Sequence, residues 1–332
     1  MKHFLYFFIF LSISYGLQAR SWTADNGNGT FTNPLFYDEF TDPDMIRVGT
    51  DFYMVASSMH AMPGLPLLRS KDLVNWEFMT YVFNKLDMGP EFHLEGKKGV
   101  YGNGIWAPAI RYHEGRFYIF VNVNDHGLQV FTAERPEGPW THKNMGGRIY
   151  DLGVLFDDDG KIYAVHGYDE VHLIEIKADF SGYVEGSDRV IIPKGNAMGE
   201  GHHFYKINGK YYLLMISWPR NGIRREVCYR ADKITGPYEK KVILEDAFDT
   251  YGGVGQGNIV DTPDGRWYGM MFQDRNGIGR VPTLMPCRWV DGWPMLGDEE
   301  GCVPLAMEKP IQGYPETVSY THLRAHETRR HL

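Results

Sequence analysis

Phe204-Tyr205-Lys206-Ile207-Asn208-Gly209-Lys210-Tyr211-Tyr212 is the stretch that decides the fold. An apolar strand runs into Asn-Gly, a pair that tolerates positive φ and so closes a tight hairpin. The returning strand is aromatic, which suits a pleated, half-buried surface. The phrase occurs five times. The other copies of the turn and returning strand are Thr50-Asp51-Phe52-Tyr53, Gly115-Arg116-Phe117-Tyr118, Gly160-Lys161-Ile162-Tyr163 and Gly265-Arg266-Trp267-Tyr268. An apolar strand precedes each turn: Met45–Val48, Ala109–Tyr112, Val154–Phe156 and Asn258–Asp261 in those four copies.

In most copies a third strand follows, and two of these end in a Gly-Pro turn with an aromatic, Gly138-Pro139-Trp140 and Gly236-Pro237-Tyr238. A four-stranded meander of roughly 45 residues is the size of a propeller blade. Five such units predict an all-β chain, a five-bladed β-propeller over residues 30–316, with the first strand of each blade lining the axis. The fixed order of turn, aromatic strand and Gly-Pro turn argues against a β-sandwich.

The chain has 332 residues, 43% hydrophobic and 14% aromatic, with 38 glycines. This is a globular, turn-rich composition that one propeller nearly uses up. Met1-Lys2-His3 is basic, Phe4–Leu11 is apolar, and Gly16-Leu17-Gln18-Ala19 ends in a small residue. Residues 1–19 therefore read as a secretory signal peptide, too short in its apolar core for a membrane span. The expected location is secreted or periplasmic. Residues 317–332 resemble a translated sequencing adapter and are expected to be a non-native, disordered tail. Three cysteines, Cys228, Cys287 and Cys302, show neither metal spacing nor a disulfide framework.

Setting aside Lys2 and the net +2 of Arg324, Arg329, Arg330 and Glu327 takes the formal charge from −8 to −11. An acidic chain without a basic stripe is a poor partner for nucleic acid or anionic membranes. A neutral, polyhydroxylated substrate is compatible with it.

Counting back twelve residues from the last four repeat tyrosines, and eleven from the first, gives Trp106, Asp151, Glu200, Gln256 and Asp42. Singly, each acid has a bland reading, as a turn initiator or a solvated charge. Three acids at nearly one offset in different blades are not explained that way, because blades around an axis bring them together. Two carboxyl groups across a sugar are what glycoside hydrolysis requires, one as proton donor and one to activate water or attack. A third can raise the donor's pKa by like-charge repulsion. The flat face of Trp106 suits the C–H face of a sugar ring.

These residues carry a resemblance. Asp42-Pro43-Asp44, Pro63-Gly64-Leu65-Pro66, Ser70–Trp76, Trp106-Ala107-Pro108, Asp151 with its Asp157-Asp158-Asp159-Gly160 turn, and Glu200–Lys206 resemble the motif series of glycoside hydrolase family 43, in its order, over about Asn33 to Pro310. The resemblance implies an inverting, five-bladed β-xylosidase or α-L-arabinofuranosidase, with Asp42 as general base, Glu200 as general acid and Asp151 as the residue that tunes the acid. It places Trp106, His203, Gln256 and Arg280 at the sugar. No cofactor is required. A structural calcium is allowed, although Gln256 stands where many members have histidine. A downstream β-sandwich is expected beyond Glu316. Two other readings stay open: a propeller that binds sugars without cutting them, and a retaining, fructan-active propeller enzyme.

Overall fold

A computed structural model of the chain describes residues 22–93, 95, 99–195 and 199–314. The signal-peptide reading of 1–19 and the tail 317–332 lie outside the described residues. Five antiparallel four-stranded sheets follow one another along the chain, each a simple meander in sequence order. Their inner strands are Asp44–Val48, Ile105–His113, Gly153–Phe156, Gly199–Ile207 and Gly255–Asp261. Each inner strand contacts that of the next blade, and the fifth contacts the first, so the ring closes. The predicted five-bladed propeller is the observed fold.

The hairpin chemistry explains the blades. Glu114-Gly115 and Asn208-Gly209 have paired positive φ values (47° and 80°, 51° and 76°), the geometry whose twist matches flanking strands. Alternation then builds the core, since successive side chains point to opposite faces of a strand. In the strand Asp51–Val55, Tyr53 and Val55 pack with Ile105, Ile110 and Phe117 of blade 2. Phe52 and Met54 pack with Val260, Met270 and Leu284 of blade 5. Three further apolar clusters fill the remaining blade interfaces. The core is thus five wedges around an axis.

The ends of the ring are tied together outside the blades. Thr30–Thr32 pairs antiparallel with Ala306–Glu308. Beside this pair the buried Lys309 ammonium donates to Asp25 (2.6 Å) and Asp72 (3.1 Å).

Candidate active site

Every inner strand is entered through one residue in the left-handed region: Asp42 (φ 52°), Ala107 (42°), Asp151 (48°), Gly201 (69°) and Gln256 (59°). The structural equivalence therefore differs from the count back from the tyrosines. Asp42, Asp151 and Gln256 are the kink residues themselves, whereas Trp106 and Glu200 each stand one place earlier. In three blades the ladder carries an irregularity at this point, between Trp106 and Ala109, between Glu200 and His203, and between Gly255 and Gly257. An inserted residue re-aims side chains and is common beside active sites. Three of the kinked amides are held by side chains. Ala107 N donates to Ser57 Oγ (2.7 Å), Gly201 N to Asp151 Oδ2 (3.2 Å), and Gln256 N to Glu226 Oε2 (2.8 Å).

Asp42 is 7% exposed. Its Oδ2 accepts from Ser57 Oγ at 2.6 Å, and its Oδ1 accepts from Arg280 Nη1 at 3.1 Å. The same Arg280 nitrogen donates to Thr41 Oγ1 (2.8 Å), Nε donates to Asp274 (3.1 Å), and the guanidinium lies 4.6 Å from the Phe272 ring centroid. Arg280 is thus braced on three sides.

Glu200 accepts from Tyr150 Oη at 2.5 Å. Burial pushes the Glu200 carboxyl above its ordinary range. The Tyr150 hydrogen bond pulls it back, and the Asp42 charge pushes it up again. Asp151, also 7% exposed, is driven well above its ordinary value, first by burial and then by Asp42 and Glu200. Asp42, Asp151 and Glu200 therefore share one electrostatic neighbourhood, with Arg280 as its cation. Of Glu200 and Asp151, Asp151 is driven further toward the neutral form, and burial rather than Asp151 leads the rise of Glu200.

Asp44, fully buried, is the hub of the axis. Its Oδ2 accepts from Arg111 Nη1 (2.6 Å) and Ile110 N (2.8 Å), while Oδ1 accepts from Asn258 Nδ2 (2.9 Å) and meets His203 Nδ1 at 3.2 Å. Burial alone would raise the Asp44 carboxyl, but Arg111 and His203 outweigh it and hold it low. His203, read from sequence as a sugar contact, is engaged in this axial network. Trp106 is half-buried, with its Nε1 donating to Gly102 O (3.0 Å). Thr41 and Ser57, on either side of Asp42, line a cavity of about 320 Å³ with Glu39, Phe40, His60 and Tyr81.

Gln256 is buried, and its side chain fills the space a Cβ on Gly201 would need, at 2.5 Å. Calcium takes six to eight oxygen ligands. Around Gln256 both Asp44 oxygens are already engaged, and the buried oxygens without a partner among the described residues are Glu226 Oε1 and Asn258 Oδ1. That donor set does not fit a calcium ion. Tyr150, Ser57 and Glu226 were missed by the sequence reading. Only Tyr150 carried a signal, as the neighbour of Asp151.

The model of the glycosyl hydrolases family 43 matches residues 31–294. A β-xylosidase of Formosa agariphila is 32% identical over 92% of this chain and 57% of its own length. A non-reducing end α-L-arabinofuranosidase of Bacteroides ovatus is 33% identical over 81% and 54%. Among solved structures, a protein described as a bifunctional GH43-CE from Bacteroides eggerthii superposes with a TM-score of 0.80 at 40% identity, over 87% of this chain and 37% of that one. The chain thus spans little more than half the length of the curated relatives it matches. A family match over most of the blades, on a closed five-bladed ring, identifies this chain as a member of glycosyl hydrolase family 43.

Proposed function

We propose that this chain is the catalytic propeller of an inverting, exported glycosidase that releases terminal xylose or arabinose from plant cell-wall polysaccharide or its oligosaccharides. The observation that carries the reading is the joint neighbourhood of Asp42, Asp151, Glu200 and Arg280. Asp42, aimed by Ser57 and Arg280, is the general base that activates water. Glu200, raised by burial, is the acid that protonates the leaving oxygen. Asp151 is the neutral neighbour that orients the acid loop through Gly201 N. Arg280 and Trp106 receive the sugar, and Gln256 supports the Glu200 turn. No step uses a metal.

The names of the two curated relatives support a pentose without choosing between xylose and arabinose. Action at chain ends belongs to the same reading. Secretion or a periplasmic location rests on the composition of Met1–Ala19. A downstream β-sandwich belongs to the same proposal.

Separation of the two carboxyls by about 6.5–9.5 Å is the inverting arrangement. The test is a panel of aryl xylosides and arabinosides with unactivated counterparts, followed by the anomer of the product in NMR. Glu200→Gln is expected to abolish turnover of substrates with poor leaving groups and to spare activated aryl glycosides. Equal, undiminished rates on both kinds would remove Glu200 from the acid role. A retained anomeric configuration would favour the fructanase-like reading, and sugar binding without turnover would favour the lectin-like one.

A further inference from the structure

Blade 3 carries a cluster that hydrolysis does not use. His166, on the strand Ile162–Tyr168, is the direct cross-strand partner of His172, on Glu170–Ile176. Their rings stack with centroids 5.3 Å apart and planes 25° apart. Asp188 precedes the outer strand Arg189–Ile192, and its Oδ1 lies 2.9 Å from His172 Nδ1. One ligand atom from each of His166, His172 and Asp188 lies within 4.8 Å of the others. Among the described residues this is the only such group of histidine, cysteine or carboxylate side chains.

We propose that His166, His172 and Asp188 form a binding site for a divalent transition metal of the zinc class. Imidazole suits zinc, copper or nickel, whereas calcium and magnesium take oxygen. Two histidines and a carboxylate give three protein ligands and leave a fourth position for water. Tetrahedral zinc with bonds of about 2.1 Å places its ligand atoms roughly 3.4 Å apart. His172 Nδ1 and Asp188 Oδ1 are already 2.9 Å apart and must part slightly, so only short adjustments within the cluster are needed, and Asp188, exposed and on a loop, is free to make them.

His166 is prepared for ligation. Its Nε2 is buried with no hydrogen-bond partner among the described residues, and burial pushes the ring's pKa down to about 4. A neutral ring keeps a lone pair. His172 is the residue whose state would change. Without metal, its two nitrogens meet Asp188 and, at 3.1 Å, Glu170 Oε1, which suits a protonated ring. With metal, one of those nitrogens becomes a ligand and Glu170 accepts from the other, the outer-shell arrangement usual for ligating histidines. The site joins the second strand, the third strand at its ladder irregularity (Val171/His172) and the entry to the fourth. Its expected effect is to fasten the outer half of blade 3.

The competing state is a metal-free ion pair of His172 with Asp188 and Glu170. The test is equilibrium dialysis of the full, tag-free chain against Zn²⁺, with bound zinc counted by atomic emission. Ligand-field absorption of a Co²⁺-loaded sample reads the geometry. One zinc per chain is expected. His166→Ala and His172→Asn should abolish it, and the surface variant Asp188→Asn should weaken it about tenfold or more. Glu200→Gln should bind zinc like the parent. Zinc should raise the melting temperature of the parent in a concentration-dependent way, as any ligand of the folded state does, and leave that of His172→Asn unmoved. Absence of zinc from the parent chain, or equal binding by all variants, would overturn the proposal.

Discussion

At the residue scale, the proton inventory of the site is set by environment rather than residue type. Glu200 and Asp151 are ordinary acids whose surroundings disfavour charge, and Tyr150 is the one hydroxyl that opposes this at Glu200. A hydrogen bond to the charged form lowers a pKa. Tyr150→Phe is therefore expected to move the alkaline limb of the kcat/KM profile to higher pH, because that limb reports loss of the proton from the free enzyme's acid. A limb that stays in place or moves down would mean that another group carries the proton.

At the scale of the element, the device that matters is the left-handed entry of each inner strand. Gly201 shows why glycine stands beside the proposed acid: its φ is +69°, and a Cβ there would lie 2.5 Å from the Gln256 side chain. Gly201→Ala is expected to cost roughly 1 kcal/mol in backbone strain. By displacing Glu200 by a fraction of an ångström or more, it should cost up to about a hundredfold in kcat. Comparing melting temperature with turnover separates the two effects. Glu226 supports the next kink. It is fully buried, one carboxyl oxygen has no partner among the described residues, and burial drives its pKa well above 4.5. The folded chain thus holds a proton that the unfolded chain releases above 4.5. This contribution to stability is full below 4.5 and declines as pH rises toward the raised folded value. Glu226→Gln should flatten that decline. Urea titrations between about pH 5 and about pH 8 are expected to show the variant gaining on the parent as pH rises.

At the scale of the whole molecule, a buried ion cluster ties together the segments flanking the first and last blades. The Lys309 ammonium is buried between Asp25 and Asp72, with relative side-chain exposures of 4%, 2% and 0%. Removing one partner of such a group leaves uncompensated charge behind, at roughly 3–5 kcal/mol. Lys309→Ala should lower the urea midpoint by that amount of stability and leave the pH profile of activity in place. A midpoint unchanged from the parent would show that the pairing of Thr30–Thr32 with Ala306–Glu308 and the packing of blade 5 on blade 1 hold the ends without it.

The blades were legible from the chain because hairpin turns and period-2 alternation are local. Asn208-Gly209 and the aromatic strand after it specify a hairpin wherever they stand, and five copies leave few ways to bury their faces. The candidate acids were legible for the same reason, since a repeat turns sequence offset into position around an axis. What the chain could not show was the one-residue displacement of Trp106 and Glu200 from the kink, the partners of Asp44, or the support given by Tyr150, Ser57 and Glu226. These depend on where the chain turns into each inner strand and on which buried atoms from distant blades meet. Residues as far apart as Asp44 and Asn258 come within hydrogen-bonding reach only once the ring has closed. Closure also sets how much water each carboxyl keeps, so the order in which Asp151 and Glu200 hold their protons belongs to the tertiary structure.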